Sequence, residues 1–182
     1  MDGLTMMTSQ RHGNILSVLN LEFFSKYRKE LISKKFNLRQ EEGALVHWGE
    51  KKSGTMHLVD INALENTQYF LTEIINDLEY VQPDIMIFKN HPYLTNRNEN
   101  RAAGFPDLLI EIWSKGNTTI DIKLKMDLYK TAPTTEHWYI SQDSNEVECW
   151  LGDKPLAAQT LANVLKTQGG ITFDLRDLAH EN

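Results

Sequence analysis

Cysteine is almost missing from this sequence: Cys149 is the single one in 182 residues. One thiol can form no internal disulfide framework and no cysteine-built zinc site, so a reducing compartment is the expected setting. No stretch approaches the roughly 18 uncharged apolar residues that a spanning helix needs. Met1 to Gln10 carries Asp2, no basic cluster and no sustained apolar run. No signal peptide is expected there, and the expected location is cytoplasmic. Basic charge is short as well, with 19 Lys and Arg against 25 Asp and Glu, a formal net charge of −6. That disfavours sequence-independent coating of nucleic acid, which depends on a positive surface, but leaves room for a localised basic groove. Internal repeats and low-complexity stretches are absent too.

What is present is an ordinary globular composition, 41% hydrophobic and 24% charged. At this length folding buries roughly 70% of the unfolded chain's surface, enough for a core without staples. A single domain over residues 1–182 is the expectation.

From Gly13 to about Leu31, Ile15, Leu16, Leu19, Phe23, Phe24, Tyr27 and Leu31 recur at spacings of three and four. This is the period of an amphipathic helix, with Thr8 or Ser9 available to cap its start and Lys34 and Lys35 suited to its end. Ala44–Trp48 reads as a short strand, with Met56–Ile61 as its hairpin partner across the turn at Lys51–Gly54. Leu64–Leu78 leans weakly to helix. Pro83–Phe88 predicts a strand, the Asn- and Arg-rich segment from Lys89 to Gly104 a loop, and Pro106–Trp113 a second, central strand buried on both faces. Thr118–Lys130 predicts a helix with Ile120, Leu124 and Leu128 in one i+4 row. Two strands follow, at 136–140 and 147–151, around a turn at 142–145. The order implies an α/β fold with a mixed β-sheet flanked by helices.

Glu111 is the oddest residue, a carboxylate near the end of a buried apolar strand, where an unpaired charge is costly. Strand alternation puts Asp107 and Glu111 on one face but roughly 13 Å apart, too far to share an ion. Asp84 is the better partner: if its strand runs antiparallel to the strand of Glu111, the two carboxylates converge. Two convergent carboxylates make a hard oxygen site of the kind that holds magnesium with several waters. The plainer alternative is that Asp84 ends a turn and Glu111 pairs with a helix cation. Lys125 borders the apolar row and can reach over the strand ends; Lys123, on the other flank, competes for that place. Asp84, Glu111 and a lysine would suit metal-assisted phosphodiester hydrolysis.

The stretch PDLLIEIWSKGNTTIDIKLKMDLYKTAPTTEHWY, from Pro106 to Tyr139, resembles the Uma family, a group of restriction-endonuclease-like proteins within the PD-(D/E)XK nuclease superfamily. The family's typical pattern is a proline-aspartate strand ending in glutamate, then a serine-containing turn, an aspartate, a lysine and Leu-x-x-Tyr. Val81-Gln82-Pro83-Asp84-Ile85 is similar to the family's earlier proline-aspartate strand. Met1-Asp2-Gly3, Met6-Met7 and Ser9-Gln10-Arg11-His12 are similar to its lead into the first helix, and Gly169–Leu178 to its tail.

The resemblance implies a restriction-endonuclease-like core with Asp84, Glu111 and Lys125 as active positions. Asp84 and Glu111 would hold Mg2+ or Mn2+. In many superfamily members the lysine lies two residues after the acid on one strand; that position is Trp113 here, so the amine comes from the helix. The family spacing selects Lys125 over Lys123. Among the departures, the family's Ser-Pro-Ser turn is Ser114-Lys115-Gly116 here.

Glu22 stands where some superfamily members carry an additional acid, against a plainer role on a solvated face. His12 matches a family position, against a capping or packing role. His47, His57, His91 and His137 lack metal-ligand spacing, and Trp48, Trp113, Trp138 and Trp150 read as core or sheet-edge aromatics. Lys34, Lys35, Lys51, Lys52, Arg97 and Arg101 are either a phosphate groove or scattered solvent charges. The expected function is a magnesium-dependent DNA endonuclease, acting as a homodimer because cutting two strands needs two sites. The alternative is a catalytically silent member that binds nucleic acid or protein.

Overall fold

The computed structural model describes residues 3–33, 35–40, 44–45, 80–81, 83–89, 94–96, 101–103, 105–113, 117 and 119–180. Helix α1 (Gly3–Lys26) is followed by the short α2 (Arg28–Ile32) and β1 (Phe36–Gln40). Then come β2 (Ala44–Leu45), β3 (Tyr80–Val81), β4 (Ile85–Lys89), β5 (Leu94–Asn96), β6 (Arg101–Ala103) and β7 (Leu108–Trp113). Helix α3 (Thr119–Tyr129) leads to β8 (Glu136–Ser141), β9 (Glu146–Leu151), β10 (Lys154–Pro155) and β11 (Gln159–Thr160). The chain closes with β12 (Val164–Lys166), β13 (Thr172–Asp174) and a 3-10 turn, Arg176–His180.

The main sheet runs β1-β4-β7-β8-β9-β10, with β11 also on β9. It is mixed: β4 and β7 are antiparallel, β7 and β8 parallel, β8 and β9 antiparallel. The parallel pair requires a crossover, and α3 supplies it. Strand β7 sits between β4 and β8 with its first five residues buried, as its unbroken apolar run predicts.

Each face of the sheet carries its own core. On one side Ile85, Ile87, Leu108, Ile110, Ile112, Trp138 and Ile140 pack with Ile15, Leu16, Leu19 and Phe23 of α1. On the other, Met86, Phe88, Leu109 and Tyr139 meet Leu128, Tyr129 and Ala132 at the end of α3. Burying a side chain of this size contributes about 1.5–3 kcal/mol, so four of them on α1 outweigh its internal glycine, which costs about 1 kcal/mol.

Several expectations are corrected. Helix α1 starts about ten residues before Gly13, which places Thr8 and Ser9 inside it, not at its cap. Gly13 is accommodated because nothing crowds it. The helix breaks at Tyr27, whose hydroxyl accepts no helical duty and instead takes the Thr172 N–H at 2.8 Å. Phe24, expected on the apolar face, is exposed. The segment expected to be a loop, 89–104, contains the antiparallel pair β5–β6. Its Asn- and Arg-rich composition reflects connections, which mask strands of three residues. Strand β2 pairs with β3 on one side and β6 on the other. Residues 46–79, including the proposed hairpin partner 56–61 and the helix at 64–78, lie outside the described residues, as do His47, Trp48, His57 and His91. Among the described residues, no helix is long and apolar enough to cross a membrane.

Candidate active site

The register of β4 and β7 pairs Ile87 with Leu108, Met86 with Leu109 and Ile85 with Ile110. One step further along this ladder, Asp84 faces Glu111. Asp84 precedes the strand, and its carboxylate stands in for a backbone acceptor: the Ile112 N–H donates to Oδ2 at 2.7 Å. A charged acceptor makes this a strong, short bond, and it fixes the carboxylate against the end of β7. The antiparallel pairing expected from the sequence therefore holds, and it brings the two acids together.

Glu111 is only 3% exposed. Lys125 Nζ lies 2.9 Å from Oε1 and 2.9 Å from Oε2, and the Tyr129 hydroxyl donates to Oε1 at 2.6 Å. Burial raises the Glu111 carboxyl above the ordinary carboxylate range. Lys125 and Tyr129 pull it back down, and the nearby Asp84 charge pushes it up again. The Tyr129 hydroxyl is driven well above the ordinary phenol range, first by burial and then by the Glu111 charge. It stays a proton donor.

The helix presents a different face from the one expected. Ile120 and Leu124 are exposed, while Leu128 is buried. The side turned to the sheet carries Ile122, Lys125, Met126 and Tyr129, a run of i, i+3, i+4 and i+7. Lys125 thus sits within the docking face, because the buried Glu111 demands a cation there. Lys123 is exposed. Of the two lysines, Lys125 is the one in contact with Glu111.

Three contacts were not anticipated. Tyr129 enters the sequence reading only through the family's aspartate, lysine and tyrosine spacing; its signal is the i+4 spacing from Lys125, which puts both over Glu111. His12 Nε2 lies 3.2 Å from Asp84 Oδ1. The Gln142 side chain, from the turn after β8, lies with Nε2 3.3 Å from His12 Nδ1. Glu22, by contrast, is elsewhere: it pairs with Lys26 at 2.6 Å and accepts the Asp174 N–H at 2.9 Å, tying α1 to β13. Asp107 accepts the Lys89 N–H at 2.6 Å, just before the start of β7 and away from Glu111 near its end.

His137 is structural. Its Nε2 lies 2.8 Å from the Gly152 carbonyl, which can only accept, so Nε2 carries the proton and Nδ1 accepts from the Tyr139 hydroxyl at 2.8 Å. Burial lowers its pKa to about 4. Trp138 is fully buried, while Trp113 lies against Tyr139 with ring centroids 4.3 Å apart.

A cavity of about 340 Å³ opens on the Trp113 side of the acids. Trp113, Tyr139, Asn117 and Ile122 line it together with Asp143, Glu146 and Glu148. Its carboxylates make it a poor track for phosphates. Lys35 is exposed, and the side chains of Lys34, Lys51, Lys52, Arg97 and Arg101 lie outside the described residues.

Among the described residues, Asp84 and Glu111 are the facing carboxylates that could hold a metal. Among the described residues, no cluster of three or more His, Cys, Asp or Glu side chains joins them. Two facing carboxylates fit magnesium, which keeps several waters and uses few protein oxygens. They do not fit a zinc centre, which needs three or four closed ligands.

Residues 59–175 match a family model, Uma2, whose description is "Putative restriction endonuclease". Among curated proteins no sequence matches. Among solved structures, a crystal structure of "a putative nuclease belonging to DUF820" from Anabaena variabilis superposes with a TM-score of 0.54 at 14% identity. The match covers 94% of this chain and 81% of that one. At this identity the likeness concerns the fold, which is restriction-endonuclease-like, a mixed α/β sheet with helices on both faces.

Proposed function

The chain belongs to the Uma2 family, and from that premise we propose that it is a metal-dependent endonuclease that hydrolyses DNA phosphodiester bonds. The observation that carries this reading is the convergence of Asp84, Glu111 and Lys125 from three separate elements. Register places the acids opposite each other, and Lys125 spans both oxygens of Glu111 at 2.9 Å. A buried carboxylate held by a lysine and a tyrosine at the end of a central strand is an expensive arrangement for structure alone.

Asp84 and Glu111 would hold Mg2+ or Mn2+. When bound, the ion would supply an acidified water and offset phosphate charge. The chain's own residues do the rest. The Ile112 N–H aims Asp84, and Tyr129 keeps Glu111 from turning away. The Lys125 ammonium, a third exposed, is placed to stabilise negative charge as it grows on phosphate oxygen. DNA is the substrate class of this reading, a cytoplasmic setting agrees with the lone buried thiol, and a homodimer would cut both strands.

A second reading is a silent member of the fold that binds nucleic acid or protein. It is favoured by one observation, that both Glu111 oxygens already have partners within the chain. Calorimetry of Mg2+ and Mn2+ on the wild type and on Glu111→Ala, beside plasmid nicking, separates the two. Metal binding lost in the variant, with metal-dependent nicking by the wild type, supports the endonuclease. Absence of metal binding by either protein, with no nicking, supports the silent scaffold.

A further inference from the structure

His12 lies on α1 at the spacing of its buried stripe, three residues before Ile15, four before Leu16 and seven before Leu19. The stripe that packs α1 onto the sheet therefore brings an imidazole to the Asp84 end of β4. Its Nε2 lies 3.2 Å from Asp84 Oδ1, while the other oxygen of Asp84 takes the Ile112 N–H at 2.7 Å. Each oxygen of this carboxylate thus has a protein partner, one on α1 and one on β7.

The second ring nitrogen is also engaged. Gln142 is 4% exposed, and its amide nitrogen lies 3.3 Å from His12 Nδ1. Its backbone N–H is fixed to the Trp113 carbonyl at 2.7 Å, so the side chain is anchored beside the end of β7. In this orientation Gln142 Oε1 is buried without a hydrogen-bond partner among the described residues. An orphaned buried oxygen is costly and calls for a reason. The reason is the tautomer. An amide N–H donated to Nδ1 leaves the proton on Nε2, where it meets the Asp84 carboxylate. Turning the amide over would present an acceptor to Nδ1, draw the proton there, and leave a neutral ring facing Asp84 lone pair to lone pair.

We infer that His12, with its tautomer set by Gln142, is a positioning residue that holds Asp84 in the orientation needed to bind the divalent ion. The inference rests on the reading that Asp84 and Glu111 form the metal site. His12 touches neither the ion nor the substrate in this role; it acts through Asp84. Partners that orient metal-binding side chains in this way are typically worth about 10- to 100-fold in metal affinity.

The test uses the full chain and Mn2+ alone, titrated by calorimetry. His12→Ala and Gln142→Leu should each weaken Mn2+ binding by about 10- to 100-fold. The double variant should be no weaker than His12→Ala, since the two residues act in series. His12→Gln, which keeps an N–H donor, should recover part of the loss. Wild-type affinity in both single variants overturns the inference and leaves the two-carboxylate site standing. A wild type that binds no Mn2+ removes the metal reading and the inference together. Nitrogen-15 NMR of the unmutated chain gives an independent reading of the ring. Protonation on Nε2 with Nδ1 bare supports the relay, and a neutral ring protonated on Nδ1 overturns it whatever the variants do.

Discussion

Lys125 and Glu111 are fourteen residues apart in the chain and meet as a two-pronged contact, Nζ 2.9 Å from each carboxylate oxygen. One partner is buried and the other is about a third exposed. The asymmetry separates their roles: Glu111 belongs to the core, while the ammonium looks outward from it. Lys125→Ala should therefore abolish DNA cleavage, by at least about 100-fold for the loss of one positioned charge, while the chain still folds. Glu111 keeps its bond from Tyr129 and can take up a proton in place of its lost cation. Lys123→Ala, on the exposed side of α3, should cleave like the wild type. Plasmid nicking with circular dichroism on both variants decides this, and full activity in Lys125→Ala would remove the lysine from the mechanism.

Much of this site was legible in the sequence because strands are simple to read. Period-two alternation and an antiparallel guess were enough to set Asp84 against Glu111, and the register agrees. The helix was harder. Its apolar row of Ile120, Leu124 and Leu128 pointed to one docking face, yet two of the three are exposed. The face was chosen by what the sheet offered, a buried carboxylate needing a cation and a hydroxyl, and no periodicity within α3 contains that information. His12 and Gln142 were illegible as a pair for a related reason. They are 130 residues apart, and only the packing of α1 across the sheet brings them together.

Burial raises the pKa of Glu111, so the folded chain holds this proton to higher pH than the unfolded chain does. The sign follows: stability falls as pH rises from the ordinary carboxylate value of 4.5 through the raised folded value, and the penalty stays above it. Glu111→Gln removes the penalty, keeps an oxygen for Tyr129, and leaves a lysine exposed enough to turn to water. At pH 7 the variant should be more stable than the wild type by something on the order of 1 kcal/mol, with the gap closing below pH 4.5. Urea unfolding at both pH values measures it. A variant clearly less stable at pH 7 would mean that the ion pair stabilises the fold.

His137 works in the opposite sense. Burial chiefly lowers its pKa to about 4, with the Lys130 charge adding to the effect, whereas the unfolded imidazole titrates near 6.5. The unfolded chain therefore gains a proton first as the solution is acidified. The stability contributed by the neutral ring is complete above pH 6.5 and is lost as pH falls to about 4, up to about 3 kcal/mol in all. Glu111 and Glu136, both raised by burial, tilt the profile the other way. The difference between wild type and His137→Gln isolates the imidazole. That difference should shrink steadily between pH 6.5 and 4, and a constant difference would mean that His137 does not titrate on unfolding.

Cys149 is 2% exposed within the core shared by the sheet and α1, and burial pushes its thiol up to about 11. Both facts suppress the thiolate, the form that attacks disulfide reagents. The native chain should then react with a thiol reagent only through opening of the sheet. For an ordinary stability of about 5–15 kcal/mol, that means at least about a thousandfold slower than the urea-unfolded chain. Because it is the one cysteine in the sequence, one equivalent should react on unfolding, and the labelling rate becomes a readout of stability for every variant above. Rapid labelling of the folded chain would show that β9 opens locally, and that the sheet is less cooperative than its packing implies.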